Sequence, residues 1–298
     1  MQYSLDNNWL NIDVDSLFVK TIQEFFDNYI PSKKIQHLLI QNKNILLDNN
    51  PVKRQDDIVG LKLNINIYPE IYEYKQIDQK IDVVYEDEII LIVNKPKDLL
   101  VHSDGNEELT LTQMVQSYYH DKNYISALPI HRLDKQTSGL VVYSKSIIFQ
   151  PLLDKLLNQK QIRRNYYAFV RGKIEVGTIM TINKNIGKDR HNSNKYVIHK
   201  SGQSAITKAR CVACNKKDNY SVLLCSIETG RTHQIRLHLA SEGYPILNDE
   251  LYGVHSDLCK RMGLFAESIE MYHPLLEDNL IVETNLPKDL DNLYSNAL

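Results

Sequence analysis

The segment Ala127-Leu128-Pro129-Ile130-His131-Arg132-Leu133-Asp134-Lys135-Gln136-Thr137-Ser138-Gly139-Leu140 sets a polar cluster between two apolar patches, the layout of a loop entering a strand. Asp134 is flanked by Arg132 and Lys135, and neighbouring cations favour the charged form of a carboxylate. An ionised carboxylate can attack carbon or stabilise an oxocarbenium ion. The same spacing also suits a turn in which Asp134, Thr137 and Ser138 merely cap backbone groups, and spacing alone favours the turn. A second cluster, Glu228-Thr229-Gly230-Arg231-Thr232-His233-Gln234-Ile235-Arg236-Leu237-His238, reads as a turn feeding a helix. Free backbone N–H groups and the helix dipole make the start of such a helix an anion site. A zinc-protease reading fails, because His233 and His238 are five residues apart and no Glu follows the first His.

Strands and helices must hold these clusters in place. Leu17, Phe18, Ile22, Phe25 and Phe26 recur at helical spacing, and Pro31-Ser32 followed by Ile35, Leu38 and Leu39 suggests a second helix. Residues 61–67 then alternate apolar and polar side chains, which predicts a strand with one buried and one wet face. Residues 71–82 are polar with little periodicity and read as a linker. The expected organisation is therefore a small module over 1–70, a linker over 71–82 and a larger body over 83–298. In the body, β-rich runs fall at 89–93, 140–143, 166–170, 205–211 and 221–225, with helical pieces at 149–157 and 232–240. Without regular β-α-β alternation, this predicts an α+β fold with a mixed, largely antiparallel sheet.

Composition narrows the class of function. Of the 298 residues, 43% are hydrophobic and 24% charged, as in ordinary globular proteins. No run approaches the ~18 uninterrupted apolar residues of a membrane span, and the first residues lack the layout of a signal peptide. The expectation is a cytoplasmic protein without membrane attachment. Four cysteines are too few for a disulfide framework. The lone C-x-x-C pair, Cys211 and Cys214, falls in a predicted strand where thiols usually pack, so no metal site is expected. The net charge of −2 hides segments of opposite sign: residues 131–210 hold 16 Lys and Arg against 4 Asp and Glu, and 241–298 hold 3 against 11. Clustered cations form an electrostatic footprint for a polyanion. Charge alone weighs that equally with a solvated face balanced by acidic neighbours.

Three motifs, in order, narrow the reading further. His131-Arg132-Leu133-Asp134-x-x-Thr137-Ser138-Gly139-Leu140, Thr229-Gly230-Arg231-Thr232-His233-Gln234-Ile235-Arg236 and Gly243-x-Pro245-Ile246-x-x-Asp249-x-x-Tyr252-Gly253 together resemble the RluA-type family of RNA pseudouridine synthases. Asn94-Lys95-Pro96, the run from Arg164 to Gly172 and His273-Pro274 fit the same pattern, so the resemblance covers roughly residues 83–290. The N-terminal module resembles an S4-type α/β RNA-binding domain, on Pro31-Ser32-Lys33-Lys34-Ile35 and the alternating strand.

The resemblance implies a pseudouridine synthase fold and an isomerase that needs no cofactor. It implies that Asp134 is the catalytic aspartate, that Arg231 pairs with it, and that Tyr166 stacks on the uracil and takes the final C5 proton. Arg132 would fill the gap left by the extruded base, Ile235 would form part of an apolar floor, and His131 and Thr137 would belong to the substrate site. Such a pocket is physically reasonable, because a base inside folded RNA must be flipped out before a carboxylate can reach it. Lys33, Lys34, Lys43, Lys53 and Arg54, together with Arg163 and Arg164, are the expected RNA contacts. The partner is ribosomal or transfer RNA, with large-subunit ribosomal RNA favoured, and the protein is expected to act as a monomer. The family usually has Lys at Arg164, His at Tyr244, and Gly at Asn248 and Asp98, and it often has His at Phe265, a difference expected to change a surface. Asn and Asp tolerate left-handed backbone better than other non-Gly residues, so those two replacements are expected to be accommodated. Two rival readings are a non-catalytic RNA-binding or ribosome-assembly factor on the same fold and a nucleoside glycosidase. The latter would need a second positioned carboxylate.

Overall fold

The computed structural model describes residues 1–16, 19–57, 60–105, 108–192 and 195–298, apart from the side chain of Ser16. Near the N-terminus, β1 (Tyr3–Asp6), β2 (Trp9–Asp13), α1 (Ile22–Tyr29), α2 (Lys33–Gln41), β3 (Ile45–Leu47), β4 (Asn50–Pro51) and β5 (Lys62–Asn66) form an antiparallel sheet in the order β1-β2-β5-β3-β4, with two helices. The helical spacing holds for Ile22, Phe25 and Phe26, which α1 buries, while Leu17 and Phe18 lie outside the described residues. Thr21 caps α1 by accepting from the Glu24 N–H at 3.2 Å. Two strands precede the helices, a feature the sequence reading did not anticipate. Their signal is a two-residue turn, Asn7-Asn8, with Asn7 at φ 52°, between pairs that alternate only weakly. Leu10 and Ile12 of β2 point into the core.

The remaining elements are β6 (Val83–Glu86), β7 (Ile90–Lys95), α3 (Leu111–Tyr118), β8 (Leu128–Pro129), β9 (Ser138–Ser144), α4 (Gln150–Asn158), β10 (Ile162–Arg171), β11 (Ile179–Asn183), β12 (Ile186–Lys188), β13 (Tyr196–Ile198), β14 (Ile206–Asn215), β15 (Tyr220–Ile227), α5 (Gln234–Ser241), β16 (Leu264–His273), β17 (Asp278–Glu283) and α6 (Lys288–Ser295). Ten of these strands make one sheet with the path β11-β14-β15-β10-β16-β9-β7-β6, with β17 joined to β16 and β8 to β9. Among its pairings, the parallel one is β9 with β16, through Ser138 opposite Phe265 and Gly139 opposite Ala266. This is the mixed, largely antiparallel sheet that the sequence predicts. Central strands such as Leu140-Val141-Val142-Tyr143 are buried on both faces, which explains their unbroken apolar runs.

Residues 71–82 form no helix or strand, but they are fastened to the body. The Tyr72 N–H donates to the Asn123 carbonyl at 2.7 Å, the Tyr74 hydroxyl to the Ile125 carbonyl at 2.9 Å, and the Ile77 N–H to Ser117 Oγ at 2.7 Å. Two positions where the family favours Gly, Asp98 and Asn248, adopt φ of 62° and 55°, the left-handed backbone anticipated for them. Phe265 was expected to alter a surface. It is instead 1% exposed, packed with Phe169 and Leu247, because it lies on a central strand at an inward position. Cys211 and Cys214 lie in β14, and the Cys211 thiol donates to the Ile174 carbonyl. No helix among the described residues is long and apolar enough to cross a membrane.

Candidate active site

The site lies where β9 and β16 run parallel, and Gly139 makes that approach possible. Its φ is 117°, and a Cβ there would sit 2.0 Å from the Ala266 carbonyl oxygen. The loop before β9 is thereby pinned at the middle of the sheet. Within it, the Thr137 N–H donates to the Asp134 carbonyl at 3.1 Å, so the turn closes through the backbone. Lys95, fully buried at the end of β7, tightens the loop from beneath. Its Nζ donates to the carbonyls of Pro96 at 2.9 Å, Leu99 at 2.6 Å and Lys135 at 3.0 Å. Burial pushes the Lys95 ammonium down to about 7, against the pull of Asp134.

The Asp134 carboxylate does not cap the turn. It accepts from Nη1 of Arg236 at 3.0 Å, with His233 Nε2 at 4.0 Å. The remaining edge of the same guanidinium is bidentate to Asp249: Nε to Oδ2 at 2.8 Å and Nη2 to Oδ1 at 2.7 Å. Burial opposes charge on Arg236, but Asp249 and Asp134 outweigh it and raise the guanidinium above its ordinary value. Burial likewise opposes charge on Asp249, and Arg236 outweighs it, so that carboxyl falls below its usual range. His233, at φ 57° in front of α5, has its imidazole lowered mainly by burial and shares a hydrogen bond with the Tyr252 hydroxyl at 3.0 Å. The Tyr252 ring lies 5.5 Å from the Arg236 guanidinium carbon.

The expected pairing of Asp134 with Arg231 is corrected by this geometry. Arg231 is exposed and its Nε donates to the Ser204 carbonyl at 3.2 Å, whereas Arg236 is 4% exposed beneath the carboxylate. Arg231 sits in the turn before α5, and Arg236 projects from the helix's first turn toward the loop of Asp134. Both arginines stand in the motif. Their spacing says that one of them faces inward, and the position of α5 decides which.

Asp134 borders a cleft of about 570 Å³ and a narrow recess. Tyr166, Ile235, Thr137, Ile227 and Leu264 line the recess with Arg164 and Arg231. Tyr166 is 4% exposed, and its phenol is raised chiefly by burial, which keeps the hydroxyl protonated. A bulge in β10 between Asn165 and Tyr166 aims that ring at the site. Arg132, exposed at the rim, donates from Nη2 to Thr232 Oγ1 at 2.6 Å. His131 is buried and lowered to about 3 by burial and then by Arg164, and its Nε2 accepts from the Val142 N–H at 3.3 Å. Lys135 points away, to Glu108 at 2.6 Å.

The expected RNA contacts separate into distinct places. Lys33, Lys34, Lys43, Lys53 and Arg54 are exposed on the N-terminal unit. Arg163 and Arg164 cannot act on one surface, because strand alternation puts them on opposite faces of β10. Arg163 is exposed and 4.0 Å from Glu270, while Arg164 is buried beside the recess. The roles of Arg236, Asp249 and Lys95 were missed, although all three stand in the family motifs. Their contacts join loops and strands far apart in the chain, for which local spacing carries no signal.

Comparison with known proteins identifies the family. The RNA pseudouridylate synthase family matches residues 89–241. The uncharacterized RNA pseudouridine synthase YhcT of Bacillus subtilis is 33% identical over 264 residues, covering 87% of this chain and 84% of the relative. Ribosomal large subunit pseudouridine synthase D of Escherichia coli is 30% identical over 298 residues, covering 92% and 88%. Among solved structures, human RNA pseudouridylate synthase domain containing 1 shares the fold with a TM-score of 0.60 at 24% identity, covering 72% of this chain and 88% of that one. On these matches, the chain belongs to the RluA-type family of RNA pseudouridine synthases.

Proposed function

We propose that the protein isomerises specific uridines of structured RNA to pseudouridine, that large-subunit ribosomal RNA is its substrate, and that Asp134 is the catalytic carboxylate. The observation that carries this reading is the Asp134 carboxylate, held by Arg236 at 3.0 Å, at the mouth of a recess walled by Tyr166 and Ile235. A uridine flipped from the RNA offers the flat π faces of its base, and an aromatic ring with a branched aliphatic side chain replaces their lost stacking partners. In this reading Arg132, at the rim, occupies the vacated position in the RNA.

The isomerisation breaks the bond from C1′ to N1 and forms one from C1′ to C5. The base loses its C5 proton and gains one at N1, so no oxidant, water or group donor is consumed. Asp134 supplies negative charge where positive charge develops at the sugar, and Arg236 fixes its direction. In this reading Tyr166, which lines the recess with Asp134, covers the base. The N-terminal unit, with its exposed Lys33, Lys34, Lys43, Lys53 and Arg54, grips phosphates outside the pocket. The large-subunit assignment is supported by the 30% identity to the E. coli large-subunit enzyme across 92% of this chain.

Asp134→Asn tests the reading. Pseudouridine formation in large-subunit ribosomal RNA transcripts is expected to vanish while RNA affinity stays within about two-fold, since the change removes one charge and no bulk. Unchanged modification by the variant would dismiss Asp134 as the catalytic group. Binding without modification by the wild type would favour an RNA-binding or ribosome-assembly factor.

A further inference from the structure

Arg164 is 6% exposed, yet its guanidinium has no carboxylate partner among the described residues, and its buried Nε makes no hydrogen bond. Burying a cation without a counter-charge is unfavourable, so a protein that does so has reason to keep the place for a ligand. Both carboxylates that line the adjoining cavities are already engaged. Asp134 is held by Arg236 at 3.0 Å, and Glu228 is held by Lys160 at 2.8 Å and Lys208 at 2.9 Å.

We propose that Arg164 is the receptor for one backbone phosphate of the substrate strand, next to the nucleotide that enters the recess. The inference rests on the reading of the substrate as RNA and adds a specific anion subsite to it. Arg164 forms the wall shared by the recess at Tyr166 and a second cavity of about 470 Å³, which Arg132, Arg231 and Lys160 also line. A base on one side of this wall leaves its own phosphate or its neighbour's on the other. Gly230 leaves room for the receptor: a Cβ at that position would lie 3.0 Å from Nη1 of Arg164, tight enough to push the guanidinium aside by a few tenths of an ångström. A planar fork of N–H donors matches two phosphate oxygens, which a lysine ammonium does only as a point charge. His131, against the same guanidinium, stays neutral and leaves the positive charge to Arg164.

Two measurements on the full chain test this. In the first, the Arg164 Nε–Hε resonance, assigned by its loss in Arg164→Gln, is followed during titration with inorganic phosphate, uridine 5′-monophosphate or uridine. Phosphate and the monophosphate are expected to shift it and uridine is not. A shift with uridine alone would assign Arg164 to the base, and no shift with either phosphate would refute the subsite. In the second, large-subunit ribosomal RNA transcripts with randomly ethylated phosphates are selected for binding. Wild type should exclude ethylation at one phosphate beside the modified uridine, and Arg164→Gln should lose that one interference, bind about ten-fold more weakly and keep the others. Retention of the same interference by Arg164→Gln would overturn the proposal. If phosphate shifts the resonance but the wild type forms no pseudouridine in the transcript, the substrate reading fails and the anion site stands.

Discussion

At the scale of single residues, one guanidinium carries most of the electrostatic order. Arg236 joins a half-buried carboxylate that faces the recess to a fully buried one that does not, with three short hydrogen bonds. Asp249 also accepts from the Leu251 and Tyr252 N–H groups at 2.9 and 3.2 Å, which anchors the far end of the chain of contacts. Replacing Arg236 with Gln would leave Asp249 buried without its cation. Unfolding in urea should show a loss of about 3–5 kcal/mol, the usual cost of breaking a buried pair on one side. Arg236→Lys keeps the charge but cannot span both carboxylates in a plane. Its kcat should fall roughly 100-fold through misplacement of Asp134, with RNA affinity nearly unchanged. Loss of affinity with an unchanged kcat would mean that Arg236 serves RNA binding instead. The corresponding change at exposed Arg231 should leave stability within about 0.5 kcal/mol.

At the scale of elements, the meeting of β9 and β16 is the critical joint. Gly139→Ala adds a Cβ both to a left-handed backbone and to a space occupied by the Ala266 carbonyl. Strain and overpacking of this kind cost about 1–3 kcal/mol each, so the unfolding free energy measured in urea should drop by several kcal/mol. A near-neutral result would show that the two strands can separate without harm. Much of this architecture is legible in the residues. The apolar runs of β7, β9 and β15, the helix ending before Gly243 and the left-handed positions of Asp98 and Asn248 all follow from local rules. The hairpin of β1 and β2 is less visible, because Tyr3-Ser4-Leu5-Asp6 gives only four residues of weak alternation, of which three are exposed. Its position is decided by β5, against which β2 pairs from Trp9 to Asp13.

At the scale of the whole molecule, a net charge of −2 conceals the cations that would meet a polyanion. Lys33 and Lys34 project into solvent from α2, with no carboxylate paired to either among the described residues. RNA affinity is therefore expected to fall steeply with salt. Replacing both lysines with Gln should reduce the slope of log affinity against log salt by roughly 0.7–0.9 for each phosphate left without its cation. A slope that stayed the same would place the RNA path elsewhere on the surface. The N-terminal unit and the body also touch directly, including the Tyr3 hydroxyl of β1 with Glu88 at 3.1 Å and the Tyr29 hydroxyl of α1 with Glu277 at 3.2 Å.

Amino-acid order alone determined which residues could do chemistry, because the motif types and the periods of strand and helix are local properties. It pointed to an aspartate in a loop before a strand, an aromatic ring on another strand, and a basic turn leading into a helix. Tertiary structure decided the partners. Asp134 and Arg236 are 102 positions apart, so their contact depends on how α5 settles against the β9 loop. The same holds for Arg164, whose neighbour Arg163 points the opposite way on β10: a pair of arginines in sequence becomes one solvated cation and one buried cation without a counter-ion among the described residues only when the sheet closes around them.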